Sequence, residues 1–142
     1  MTMPMFKQFA ASVAASALLA GAAFADTTTY TADLTTGAEV PPTEGSASGT
    51  AEVTVDTDAN QVSWTVTYTD LTGDPIAAHI HGPASETENA PPVIDMSESI
   101  NEGSADITKE QIDDLENGKY YVNVHTEKYP DGEIRGQLAK KE

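Results

Sequence analysis

Past residue 25, hydrophobic and polar residues alternate with a period of two along most of the chain, and the alternation gives way to a helical spacing in one segment. Over 61–69, Val62, Trp64, Val66 and Tyr68 fall on one face and Ser63, Thr65, Thr67 and Thr69 on the other, as a half-buried antiparallel strand requires. Ala51, Val53 and Val55 repeat the pattern upstream, and the turn-forming residues 56–60 between the two runs predict a hairpin. Further strands are predicted at 29–34, 76–81, 92–96, 120–126 and 133–138. The exception is 109–117, where Thr108 and Gln111 fit a capping box, Ile107 and Ile112 a hydrophobic staple, and Gly118 a left-handed stop. Ile112 and Leu115 share one face of this short helix and would pin it to the strands. About seven short strands with polar turns predict an all-β fold, an antiparallel Greek-key sandwich or flattened barrel with one short connecting helix.

Residues 1–25 read as an address rather than as part of that fold. Lys7 precedes an apolar, alanine-rich run, and Ala23-Phe24-Ala25 is the small-x-small pattern that a signal peptidase accepts before Asp26. The expectation is a periplasmic or secreted β domain over 26–142. The run is short for a membrane span and no second one follows, so no membrane anchor is expected. Processing would also remove every phenylalanine and leave Met96 as the one sulfur atom.

Charge narrows the partners. With 7 Lys+Arg against 23 Asp+Glu, a formal net charge of −16 and a pI near 4.2, the chain repels phosphate backbones and anionic headgroups, so neither nucleic acid nor an acidic membrane is an expected partner. Such an acidic surface suits a solvated exterior, and it also attracts cations. The absence of cysteine excludes disulfides, thiolate metal sites and a cysteine nucleophile. No nucleophile elbow, glycine-rich phosphate loop or Asp-rich calcium loop occurs either.

The chemistry left is that of three histidines. His79 and His81 are two apart in a predicted strand, so they point to the same side with Cα atoms roughly 6.5–7 Å apart, while Ile80 faces the core. Ala77 and Gly82 beside them are small and suggest open space. In the strand 120–126, Val122 and Val124 take the core face and Tyr121, Asn123 and His125 the opposite one. If the two strands are neighbours, His79, His81 and His125 share one surface. A histidine on a strand is often only a surface or hydrogen-bonding residue, so a structural role stands beside the metal reading. Three neutral imidazoles suit copper above all, with zinc as the alternative, and leave a position for water or a further group. Met96, Tyr121 and Glu127 are the other candidate ligands, and metal affinity is expected to fall as pH drops through roughly 6.5.

Four segments, LTTGAEVPP at 34–42, AAHIHGPA at 77–84, YYVNVHT at 120–126 and PDGEIRGQL at 130–138, resemble in order and spacing the CHRD domain, found repeated in chordin and singly in secreted bacterial proteins. The resemblance implies an extracytoplasmic β-rich domain covering nearly all of 26–142. A growth-factor partner, as in chordin, has no sequence support here. A second similarity concerns the histidine layout, which looks like that of the copper ligands of Cu,Zn superoxide dismutases, also Greek-key barrels. It implies copper at His79, His81 and His125. The bridging histidine, the zinc ligands and the disulfide cysteines of those enzymes are missing, so copper binding, storage or redox protection is expected rather than dismutation. The alternative is a metal-free adhesion or interaction module, in which Glu39 and Arg135 would form an ion pair clamping the sheet.

Overall fold

The computed structural model describes residues 26–142; the predicted leader lies outside the described residues. Nine strands enter one antiparallel sheet: β1 (Thr27–Thr35), β2 (Ser48–Asp56), β3 (Gln61–Thr69), β4 (Pro75–His81), β5 (Pro92–Asp95), β6 (Glu102–Asp106), β7 (Tyr121–Thr126), β8 (Ile134–Gln137) and β9 (Ala139–Lys140), with helix α1 (Lys109–Glu116) between β6 and β7. Their order is β5-β4-β7-β8-β1-β2-β3-β6, with β9 added to β1, and the sheet curls into a nearly closed barrel. Of the two expected all-β architectures, this is the barrel. No helix among the described residues is long and apolar enough to cross a membrane.

The β1–β2–β3 meander follows from its alternation. Tyr30, Val53 and Trp64 lie side by side in register and are buried, while on the outer face the Thr50 and Thr67 hydroxyls meet at 2.8 Å. Asp56 closes the β2–β3 turn, its carboxylate accepting from the backbone N–H groups of Asp58 and Ala59, and Asn60 takes the left-handed conformation at φ 51° that this residue type tolerates. The interior is filled by residues from both halves of the sheet, among them Leu34, Val55, Val66, Ile80, Val122 and Ile134. Ile112 and Leu115 add the buried face of α1.

Helix α1 has the boundaries its sequence predicts. Thr108 and Gln111 form the reciprocal capping box. At the other end Gly118, at φ 72°, supports a Schellman cap in which the N–H groups of Lys119 and Gly118 donate to Asp114 and Leu115 carbonyls.

Two features depart from the predicted elements. Strand β6 was not expected, because Glu102-Gly103-Ser104-Ala105-Asp106 carries no large apolar residue. It forms by pairing with β3 and covering Trp64: a Cβ at Gly103 would lie 2.6 Å from the indole, and the indole N–H donates to the Ser99 carbonyl at 2.9 Å. The predicted run 133–138 is strand β8, whose ladder with β7 runs on past Gln137, since the Leu138 N–H donates to the Tyr120 carbonyl; the two-residue β9 that follows and pairs with β1 lies beyond the predicted run.

Strand β7 lies between β4 and β8, and all six of its residues are buried. Val122 and Val124 face the core as expected. The opposite face, bearing Tyr121, Asn123 and His125, is covered by the loops 82–91 and 127–133, so the polar side chains meet away from bulk water.

Candidate metal centre

Register brings the histidines together. In the β4–β7 ladder His79 pairs with Asn123, His81 with Tyr121 and Ala77 with His125, so the same-face side chains of two adjacent strands form one patch. One nitrogen from each of His79, His81 and His125 lies within 4.8 Å of the others. A metal–imidazole bond is about 2.0–2.1 Å, so nitrogens on one ion stand roughly 3.3–4.2 Å apart; small side-chain rotations bring the three into that range. His81 and His125 are buried and His79 is half-buried.

Neighbouring groups determine which nitrogens are free. His81 donates its Nδ1–H to the Ala90 carbonyl at 2.8 Å, which leaves the neutral ring a lone pair on Nε2, and that buried atom has no hydrogen-bond partner. His125 donates Nδ1–H to the Pro130 carbonyl at 2.8 Å, so its lone pair is likewise on Nε2. The third ring has two options. With its proton on Nδ1, His79 donates to His125 Nε2, 3.0 Å away; with the proton on Nε2, 3.6 Å from the Asp95 carboxylate, its Nδ1 lone pair faces that of His125. A cation favours the second tautomer, because it turns a lone-pair repulsion into two bonds. Backbone carbonyls and carboxylates behind ligating histidines are the usual means of orienting such rings.

Electrostatics favour neutral rings. Burial, then repulsion from His125, lowers the pKa of His79, with Asp95 opposing; burial is also the largest cause of the lowering at His81, with the Ala90 carbonyl opposing. Both shifts keep lone pairs available below the ordinary histidine pKa.

Arg135 holds the loop that supplies the Ala90 carbonyl. It is buried, and its guanidinium donates to the Asn89 side chain and to the Ser85 and Glu88 carbonyls at 2.7–3.0 Å. Its Cζ lies 3.5 Å from the centre of the Tyr121 ring, and the same ring stacks on His81 with an interplanar angle of 1°. Cationic, phenolic and imidazole groups from three neighbouring strands thus lock the His81 rotamer. The expected Glu39–Arg135 clamp does not form: Arg135 directs its donors to the loop instead. Glu39 feels that cation only through space, and burial outweighs it, raising the carboxyl pKa from 4.5 to about 7.

Of the additional ligand candidates, Met96 and Glu127 lie away from the imidazoles, and Tyr121 lies beside His81. Met96 packs in the hydrophobic core, on the side of β4 away from the imidazoles. Tyr121 contributes its ring to the stack, while its hydroxyl exchanges hydrogen bonds with the Ala90 N–H and carbonyl. Glu127 is exposed and borders a separate cleft with Thr72, Asp74 and Ile76. Nor is Gly82 open space, since a Cβ there would come 2.6 Å from the Lys119 carbonyl and run into the Tyr120 ring. The opening lies on the other side, where a groove of about 720 Å³ is lined by His81, His125, Asn123, Glu39, Pro41 and Tyr129.

Sequence reasoning assigned nothing to Asn123 or to buried Glu133. Glu133 accepts from the Thr72 backbone N–H and from the Thr72 and Thr126 hydroxyls, tying the β3–β4 connection to the end of β7. Its position in an alternating run offered no hint that it would be buried. Asn123 did carry a signal: it shares a face with His125.

Fold and site define the class, an antiparallel β-barrel domain carrying a buried, oriented cluster of three imidazoles beside a groove. The chain belongs to the CHRD domain family, whose model matches residues 30–138. The segments 34–42, 77–84, 120–126 and 130–138 supply Glu39, the two β4 histidines, the β7 face and Arg135, and all converge here. No curated protein and no solved structure matches the chain.

Proposed function

We propose that this protein is an exported copper-binding protein, serving in copper binding, storage or redox protection, with His79, His81 and His125 as ligands. One observation carries the reading: three imidazole nitrogens converge while the opposite nitrogen of each ring is engaged by, or faces, a carbonyl or carboxylate. A hydrogen bond between His79 and His125 would satisfy those two rings on their own, but it leaves the buried His81 Nε2 without a partner, and a shared cation accounts for all three. A nitrogen-only histidine set follows the Irving–Williams order, so Cu(II) is preferred to Ni(II) and Zn(II), with zinc the alternative ion if copper is scarce. The acidic surface raises the local cation concentration. Export rests on the leader pattern, and intact-mass analysis should find a species beginning at Asp26 in a periplasmic or extracellular fraction.

The direct test is titration of the metal-free protein with Cu(II), Ni(II) and Zn(II) by calorimetry, with electron paramagnetic resonance of the copper form. One tight Cu(II) site with nitrogen couplings is expected, and it should vanish when all three histidines are replaced by Ala. Undiminished binding by that triple variant would refute the site and favour a metal-free interaction module.

A further inference from the structure

Asn123 sits among the three histidines. It is the β4–β7 register partner of His79 and lies on the same face of β7 as His125, and it lines the groove with His81 and His125. It is 2% exposed, and its Oδ1 is buried without a hydrogen-bond partner, as is His81 Nε2. Because His81 uses its one neutral-ring proton on Ala90, two buried acceptors are left without donors in the same patch. Leaving such groups unsatisfied is destabilising, and a cation bound by both relieves both.

The amide is also held in this orientation from behind. Asn123 Nδ2 donates to the Asp131 carbonyl at 3.3 Å and attracts the Glu39 carboxyl, although Glu39 Oε1 has no aligned partner. Gly132 makes room for this contact: a Cβ there would stand 2.5 Å from Glu39 Oε1 and 2.6 Å from Asn123 Nδ2. Turning the amide over would set its oxygen against a carboxylate and a carbonyl. Glu39 and the Asp131 carbonyl therefore keep Nδ2 facing backward and Oδ1 toward the imidazoles.

We propose that Asn123 Oδ1 is the fourth protein ligand of the metal, and that Glu39 is a positioning residue that holds the amide oxygen toward it. This rests on the three-histidine reading and adds a selectivity to it. An amide oxygen is a hard donor that suits Cu(II) or Zn(II) and offers little to Cu(I), so the oxygen would favour the oxidised ion.

Nuclear magnetic resonance of the isotope-labelled protein, titrated with Zn(II), separates the two ideas. Shifts of the His79, His81 and His125 ring signals together with the Asn123 side-chain amide signals are the expected result. Ring shifts with an unmoved Asn123 amide would overturn the fourth ligand and leave the histidine site standing; unmoved rings would overturn both. Asn123→Leu should weaken Cu(II) binding by at least about tenfold and alter the copper hyperfine splitting, while Cu(I) affinity changes by less than about twofold. Equal losses for both oxidation states would mean that Asn123 acts through the fold alone and would refute the proposal. Glu39→Gln, which keeps the shape but removes the charge, should weaken Cu(II) by about tenfold with the ligand set unchanged; an unchanged affinity would refute its positioning role.

Discussion

Glu39 should make the metal-free protein less stable as pH rises, and replacing it by Gln should abolish that loss. The carboxyl is 6% exposed, and burial, only partly offset by Arg135 and Asn123, raises its pKa from 4.5 to about 7 in the fold. Below pH 4.5 it is protonated whether the chain is folded or not, and contributes no pH dependence. Between 4.5 and about 7 the folded state holds a proton that the unfolded state has released, so stability falls with rising pH. At about 1.4 kcal/mol per pH unit, the loss reaches roughly 3–4 kcal/mol on the alkaline side. Chemical denaturation of wild type and Glu39→Gln, both with a chelator, should be compared at intervals from pH 4 to 8. The difference between them cancels the other carboxylates, and should grow in favour of the variant across that window, then level off. A constant difference would refute the argument that Glu39 is buried without adequate compensation, as would a variant that is the less stable one at pH 8. With copper bound the cation should stabilise the ionised carboxyl and narrow the difference. A group that weakens the empty fold yet orients a ligand is an instance of stability given up at a functional site.

Further outcomes follow from the same geometry. Trp64→Ala removes a buried indole and its bond to the Ser99 carbonyl, and should lower stability by about 3–5 kcal/mol in a denaturant titration; an unchanged midpoint would contradict the packing of β3 under β6. Gly132→Ala forces a side chain into φ +123° and against Glu39 and Asn123, so thermal melting should show a loss of roughly 1–3 kcal/mol, accompanied by weaker Cu(II) binding. Because burial lowers the pKa values of His79 and His81 from 6.5, nuclear magnetic resonance pH titration of the metal-free protein should place the midpoints of both ring signals below 6.5; a midpoint above 6.5 for either would contradict the burial of these rings.

Much of the fold was legible because alternation in a strand is a local property. Each of Val62, Trp64 and Val66 shows its facing by its neighbours alone, and Thr108, Gln111 and Gly118 carry helix boundaries in a few consecutive residues. The same logic put His79 with His81, and Asn123 with His125, on common faces. Strand β6 escaped because its residues have no pattern of their own: Gly103 is small to suit Trp64, which is far away in sequence. Strand β9 escaped for a like reason, since its two residues form a strand only through pairing with Tyr30 and Thr31 of β1.

Composition and local pattern suffice for an acidic, cysteine-free β domain, its strand facings, its helix and the identity of three imidazoles. Tertiary structure alone decided that β4 and β7 are neighbours, and hence that the imidazoles meet. It also placed the Ala90 and Pro130 carbonyls behind two of the rings, sent Met96 into the core, and turned Arg135 from an expected partner of Glu39 into the anchor of the 82–91 loop. Side-chain direction along a strand depends on backbone geometry one residue at a time, whereas strand order, register and the approach of loops depend on how the whole chain closes its core.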